Sequence, residues 1–221
     1  MQVPRYNVCA VQVIHHIVRG SGMITRKDLD LLYQIEVHCE KCIRSCCYFY
    51  AVSGCSVKMW KFTQNCFGES AILHWCRVFG ARKEPTHFAR FFEGRVIPMK
   101  DGSRLTLDLV RQRVCKAAKM TADEYARFWK NVKNGRDKYL VHTDIDRPVH
   151  ATFPNPDVLK AVALAMRDII HDVVLREESE DSEKLKLFRD HMLWNGNKTY
   201  LKDLESDAAR FKSMTETARV S

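Results

Sequence analysis

No apolar run in this 221-residue chain approaches the roughly 20 residues needed to cross a bilayer. The sequence also lacks a glycine-rich phosphate cradle of P-loop type, an HExxH zinc motif and a G-x-S-x-G nucleophile elbow. Those absences remove several large enzyme classes and point away from a membrane-spanning helix. Glycine and proline are sparse, at 9 and 6 residues, which is ordinary for a globular protein. No secretory leader is expected either: residues 8–18 are moderately apolar but interrupted by Gln12, His15 and His16. With an odd count of nine cysteines, a reducing cytoplasm is the expected compartment.

What is present is a basic, periodic sequence. Thirty-six Lys and Arg against 27 Asp and Glu give a formal charge of +9, which permits attraction to polyanions such as RNA without demanding it. The length suits one main core. Residues 1–22, ending in Arg19-Gly20-Ser21-Gly22 before Met23, read as an N-terminal extension outside the fold. Thr25 and Asp28 form a helix start, and apolar positions from Leu29 continue at helical spacing to about Val52. The spacing predicts a shorter helix over 57–67 and another amphipathic segment carrying Ile72, Trp75, Cys76 and Phe79, stopped at Gly80. Residues 81–105, punctuated by Glu84-Pro85, Ile97-Pro98 and Asp101-Gly102, read as an excursion from the core that could flank a site.

Residues 104–118 look helical, and Thr121 to Glu124 has the spacing of a capping box that opens the next helix. Residues 144–156 read as a loop, after which Asn155-Pro156 caps a helix to about Leu175. The acid-rich run 177–183 marks a boundary, and 185–193 and 201–214 suggest short helices in a C-terminal tail, 177–221. With no sustained strand alternation, the prediction is an all-α bundle.

The stretch Gly135-Arg136-Asp137-Lys138-Tyr139-Leu140-Val141-His142 carries the candidate chemistry. Tyr125, Phe128, Trp129, Val132 and Tyr139 make one apolar stripe, and Arg136 falls near its middle. A guanidinium there must face an anion, a carboxylate, a cavity or a partner chain. His142 is the side chain best suited to moving protons near neutral pH. Six residues advance an ideal helix by about 600°, so the two diverge by roughly 120°. Either the helix loosens near His142, or two copies build one cleft. Gly135, unfavourable in a helix, makes sense where backbone or ligand approaches closely.

Other groups have plainer explanations. Cys39, Cys42, Cys46 and Cys47 beside His38 resemble a metal cluster, but small buried residues at a close helix contact explain the same stripe, and no metal or cofactor is expected. The helical spacing of Trp60, Trp75 and Trp129 favours the core over base stacking. Arg82 and His87 repeat the spacing of an Arg/His motif, yet Pro85 between them denies it a rigid helix. His74, His150, His171 and His191 lack a second ligand at convincing spacing.

At residues 136–142 the chain resembles the HEPN superfamily, whose motif is an Arg, four to six intervening residues and a His, often with a polar residue after the Arg. The wider pattern over roughly residues 24–176 looks like AbiU-type abortive-infection members: a long early helix, a Trp-containing helix ending Phe79-Gly80, then Arg-Asp-Lys-Tyr leading to His-Thr-Asp. The resemblance implies an up-and-down helical bundle over 23–176 that forms a homodimer with two Arg/His pairs in one cleft. It also implies metal-independent cleavage of single-stranded RNA in a defence or toxin-like system. His142 would serve as acid/base, Arg136 would stabilise charge on the phosphate, and Asp137 would orient one of them. Lys130, Lys133 and Lys138 would guide the backbone. Asp144 stands where some nucleotidyltransferase-paired members carry a modifiable tyrosine, which argues against that regulation and leaves room for a separate antitoxin-like partner. The alternative is a noncatalytic HEPN module that binds RNA, nucleotide or a protein.

Overall fold

The computed structural model describes residues 24–53, 58–99, 101–137, 154–176 and 197–217. His142, Lys138, the N-terminal extension, most of the 144–156 loop, the acidic run and the 185–193 segment lie outside the described residues. What is described is predominantly helical: α1 (Arg26–Ala51), α2 (Lys58–Phe79), α3 (Ala89–Phe92), α4 (Leu107–Ala117), α5 (Ala122–Gly135), α6 (Pro156–Arg176) and α7 (Asn197–Thr217). A small antiparallel hairpin, β1 (Ile97–Pro98) with β2 (Arg104–Leu105), pairs Ile97 with Leu105. No helix among the described residues is long and apolar enough to cross a membrane.

Local chemistry sets the helix starts. Thr25 accepts the Asp28 backbone N–H while the Asp28 carboxylate accepts the Thr25 N–H, and Thr121 and Glu124 repeat that reciprocal box at α5. The Asn155 side chain accepts the Asp157 N–H at the mouth of α6. The α4 helix starts at Leu107, capped by Thr106, three residues later than the sequence predicts, because Arg104 and Leu105 are drawn into the hairpin.

α1 is the central element. It runs antiparallel to α2, as shown by contacts of His38 with His74 and of Ser45 with Ser70. It also packs on α6, and Leu32, Ile35, Cys39, Ile43, Met166, Ile170 and Val173 bury completely between these layers. The two segments predicted over 57–79 are one continuous helix, with Gly68 buried inside it. A single helical glycine costs only about 1 kcal/mol, less than the packing of the surrounding helix recovers. α7 is longer than predicted and docks on the core through Leu204, Ala208 and Phe211, whose ring meets Tyr48, Trp60 and Phe67.

Residues 81–105 are not an excursion. Phe88, Phe91, Phe92, Ile97 and Leu105 are buried, and Arg95 spans Asp28 at 2.6 Å and the Phe91 ring at 4.8 Å, tying the segment to the start of α1. The turn signals are real, but the aromatics between them supply core volume.

Gly80 ends α2 by donating its N–H to the Cys76 carbonyl, and a methyl there would overlap that same oxygen. The neighbouring Phe79 carbonyl accepts the Trp129 indole N–H, which joins α2 to α5. Gly80→Ala is therefore expected to cost about 1–3 kcal/mol, the usual cost of forced overlap, read as a lower denaturation midpoint at unchanged m. Wild-type stability in that variant would contradict the packing described.

Candidate functional site

Arg136 sits where regular α5 gives way. The α-helix ends at Gly135, and Arg136–Asp137 widen into a π turn; the loosening expected near His142 lies outside the described residues. Among the described residues, a methyl on Gly135 would meet nothing within 4 Å. Its position at the last regular turn suits a residue that tolerates departure from helical geometry.

The Arg136 side chain is 14% exposed and held by two carboxylates. Its Nε and Nη2 donate to Asp137 Oδ1 at 2.8 and 2.7 Å, and Nη1 donates to Glu84 Oε1 at 3.2 Å. Lys133 Nζ closes on Asp137 Oδ2 at 3.0 Å, and Arg77 Nη1 on Glu84 Oε2 at 3.1 Å. Burial works against the Arg136 charge, but the Asp137 hydrogen bond and the charges of Asp137 and Glu84 outweigh it and hold the guanidinium protonated. Burial likewise opposes the Asp137 charge, and Arg136 and Lys133 overcome it, lowering that carboxyl below its ordinary value.

Asp137 and Glu84 together supply the counter-charge that Arg136 requires, and nothing in local spacing points to Glu84. Glu84 comes from the turn after α2. That turn is folded back by the Thr86 hydroxyl donating to the Arg77 carbonyl at 2.9 Å and by the Phe88 N–H donating to Val78 at 3.1 Å. Of the selected lysines, Lys133 joins the cluster, whereas Lys130 is exposed one turn earlier on α5. The cluster thus gathers three cations, Arg77, Lys133 and Arg136, around two carboxylates, Glu84 and Asp137, and carries one net positive charge.

The cysteine stripe is core. Cys39, Cys42 and Cys46 are fully buried free thiols. Burial pushes the Cys39 thiol up and holds Cys76 at about 12, while contact with Cys46 and burial raise Cys42. Among the described residues no three His, Cys, Asp or Glu side chains gather in a metal-holding group. Trp75 is buried, and Trp60 and Trp129 pack against Phe211 and the end of α2. His87 is a buried structural residue whose Nδ1 accepts the Ala89 N–H at 3.1 Å. Burial, with Arg82, Arg111 and Arg90, lowers it to about 4.

His74 does have a partner: its Nδ1 lies 3.0 Å from that of His38 across the α1/α2 groove. Burial first, then His38, Lys41 and Arg77, lower His74 to about 4. For His74 and His87 the folded value lies below the ordinary 6.5, so the unfolded chain binds protons first as pH falls. Their contribution to stability is intact above pH 6.5 and is lost toward pH 4. The melting temperature is accordingly expected to drop across that window, with a shallower slope in His74→Asn. Identical slopes would contradict this.

No family model matches the chain, and comparison with curated proteins and with solved structures likewise finds no match.

Proposed function

We propose that this protein is a HEPN-type, AbiU-like endoribonuclease that cleaves single-stranded RNA without a metal, as a cytoplasmic homodimer in a defence or toxin-like system. The observation carrying the proposal is the Arg136 guanidinium, oriented by Asp137 at the loosened end of α5 within a cluster that keeps an excess positive charge. RNA brings its own nucleophile. A base, His142, accepts the 2′-hydroxyl proton, the 2′-oxygen bonds to phosphorus, and the bond from phosphorus to the 5′-oxygen breaks as that oxygen takes up the proton held by His142, which serves first as base and then as acid. The products are a 2′,3′-cyclic phosphate and a 5′-hydroxyl. Charge accumulates on the non-bridging oxygens, where a fixed guanidinium lowers the barrier.

Glu84 favours a second reading, a structural helical protein in which Arg136 pairs internally with an acidic residue. Incubating the protein with labelled single-stranded RNA in EDTA separates the readings. Cleavage by wild type but not by Arg136→Ala or His142→Ala supports the nuclease, binding without cleavage supports a noncatalytic binding module, and neither effect supports the structural pair. A monomer at working concentration would overturn the two-copy cleft.

A further inference from the structure

We propose that the groove between α1 and α2 binds the phosphodiester backbone of single-stranded RNA through the row Lys41, His38, His74 and Arg77, with the imidazole pair taking up a proton as a phosphate docks. The choice of RNA as the polyanion rests on the nuclease reading above; the row itself follows from helix register. His38 meets His74 and Ser45 meets Ser70, so residue numbers rise along α1 as they fall along α2. Lys41 stands three residues from His38 toward the Ser45 end, and Arg77 stands three residues from His74 in the opposite direction. One cation therefore flanks the imidazoles on each side, about 4.5 Å along the axes by helical rise. Lys41 and Arg77 are exposed, and both rings are half-buried in the groove.

The row leads to the Arg136 site, because Arg77 shares Glu84 with Arg136. Four nearby carboxylates each pair with a cation: Glu36 with Arg167 of α6, Glu40 with Arg44, Glu84 with Arg77 and Arg136, and Asp137 with Arg136 and Lys133 of α5. The charges acting on the rings are Lys41 from α1 and Arg77 from α2, together with the rings' effect on each other. A backbone phosphate lying between Lys41 and Arg77 adds negative charge beside the imidazoles, in addition to the Glu84 carboxylate that Arg77 meets.

The ring contact explains how a proton enters. Centroids 5.2 Å apart with nitrogens 3.0 Å apart place the two Nδ1 atoms head to head. In the neutral pair one Nδ1–H therefore donates to the other, bare Nδ1. A proton from solvent added at the donor ring's Nε2 leaves that bond in place and strengthens it by charge. The two flanking cations oppose this step, and a docked phosphate offsets them.

The test is fluorescence anisotropy with a labelled 2′-O-methyl RNA strand, which has no free 2′-hydroxyl and is not cut. Wild-type affinity is expected to rise at least about fivefold from pH 8 to pH 5.5, as linkage to one proton allows, and to stay flat in the His38→Asn/His74→Asn double variant. The remaining histidines are common to both proteins. Lys41→Gln, on an exposed side chain that leaves folding untouched, is expected to weaken binding at every pH and reduce the salt slope by about 0.7. Equal pH dependence in the double variant, or an unchanged salt slope in Lys41→Gln, overturns the groove. If binding behaves as expected while natural RNA is not cleaved, the nuclease reading fails and the groove stands. Arg136-dependent cleavage with binding indifferent to these substitutions overturns the groove alone.

Discussion

Arg167→Ala is expected to destabilise the protein by about 3–5 kcal/mol, the range for breaking one partner out of a buried ion pair. Arg167 is 1% and Glu36 0% exposed, and the guanidinium meets Glu36 Oε1 at 3.0 Å through Nε and 2.9 Å through Nη2. Removing the arginine takes two donors from a fully buried carboxylate between α1 and α6. The double substitution Glu36→Leu/Arg167→Met removes both charges with similar volume and is expected to recover most of the loss. Urea unfolding followed by circular dichroism measures this, with a lower midpoint in the single variant and m unchanged. If the single variant does not fold, recovery in the double variant carries the result. A single variant within 1 kcal/mol of wild type would contradict the pair's role.

Arg136→Ala is expected to lower cleavage by about 10²–10³-fold, the scale for removing a charge-stabilising donor from a transition state. Arg136→Lys should recover only part of it, since an ammonium cannot reproduce the planar fork that Asp137 and Glu84 hold. Glu84→Gln is the more discriminating change. On the proposed reading Glu84 competes with phosphate for Arg136, so the amide is expected to lower KM several-fold with little change in kcat. If Arg136 is only an internal pair, Glu84→Gln moves stability and leaves RNA interaction unchanged. Single-turnover and steady-state assays on one labelled strand distinguish these outcomes.

Features encoded within a few residues were legible in the sequence. The helix start at Thr25 and Asp28, the box at Thr121/Glu124 and the Asn155-Pro156 start follow from side chains reaching their own backbone, and all three hold. The partners that decide the site are distant in sequence: Glu84 is 52 residues from Arg136 and Glu36 is 131 from Arg167. Spacing on one helix cannot identify such pairs. A signal for Arg167 existed nonetheless, because it interrupts the apolar positions Val162, Ala163, Met166, Ile169 and Ile170. The reasoning that singled out Arg136 applies to Arg167 with greater force. Residues 81–105 misled because their turn residues are dense, while Phe88, Phe91 and Phe92 outweigh them by filling the core. His38 and His74 were dismissed separately because their meeting depends on the α1/α2 register.

Cleavage of a strand carrying one 2′-deoxynucleotide at the mapped scissile linkage tests most directly whether the Arg136 cluster works on RNA's own nucleophile. Metal-free wild-type protein is expected to cut the all-ribose strand to a 2′,3′-cyclic phosphate and a 5′-hydroxyl and to leave the substituted linkage intact. Cutting at the deoxy linkage at an undiminished rate would contradict the account.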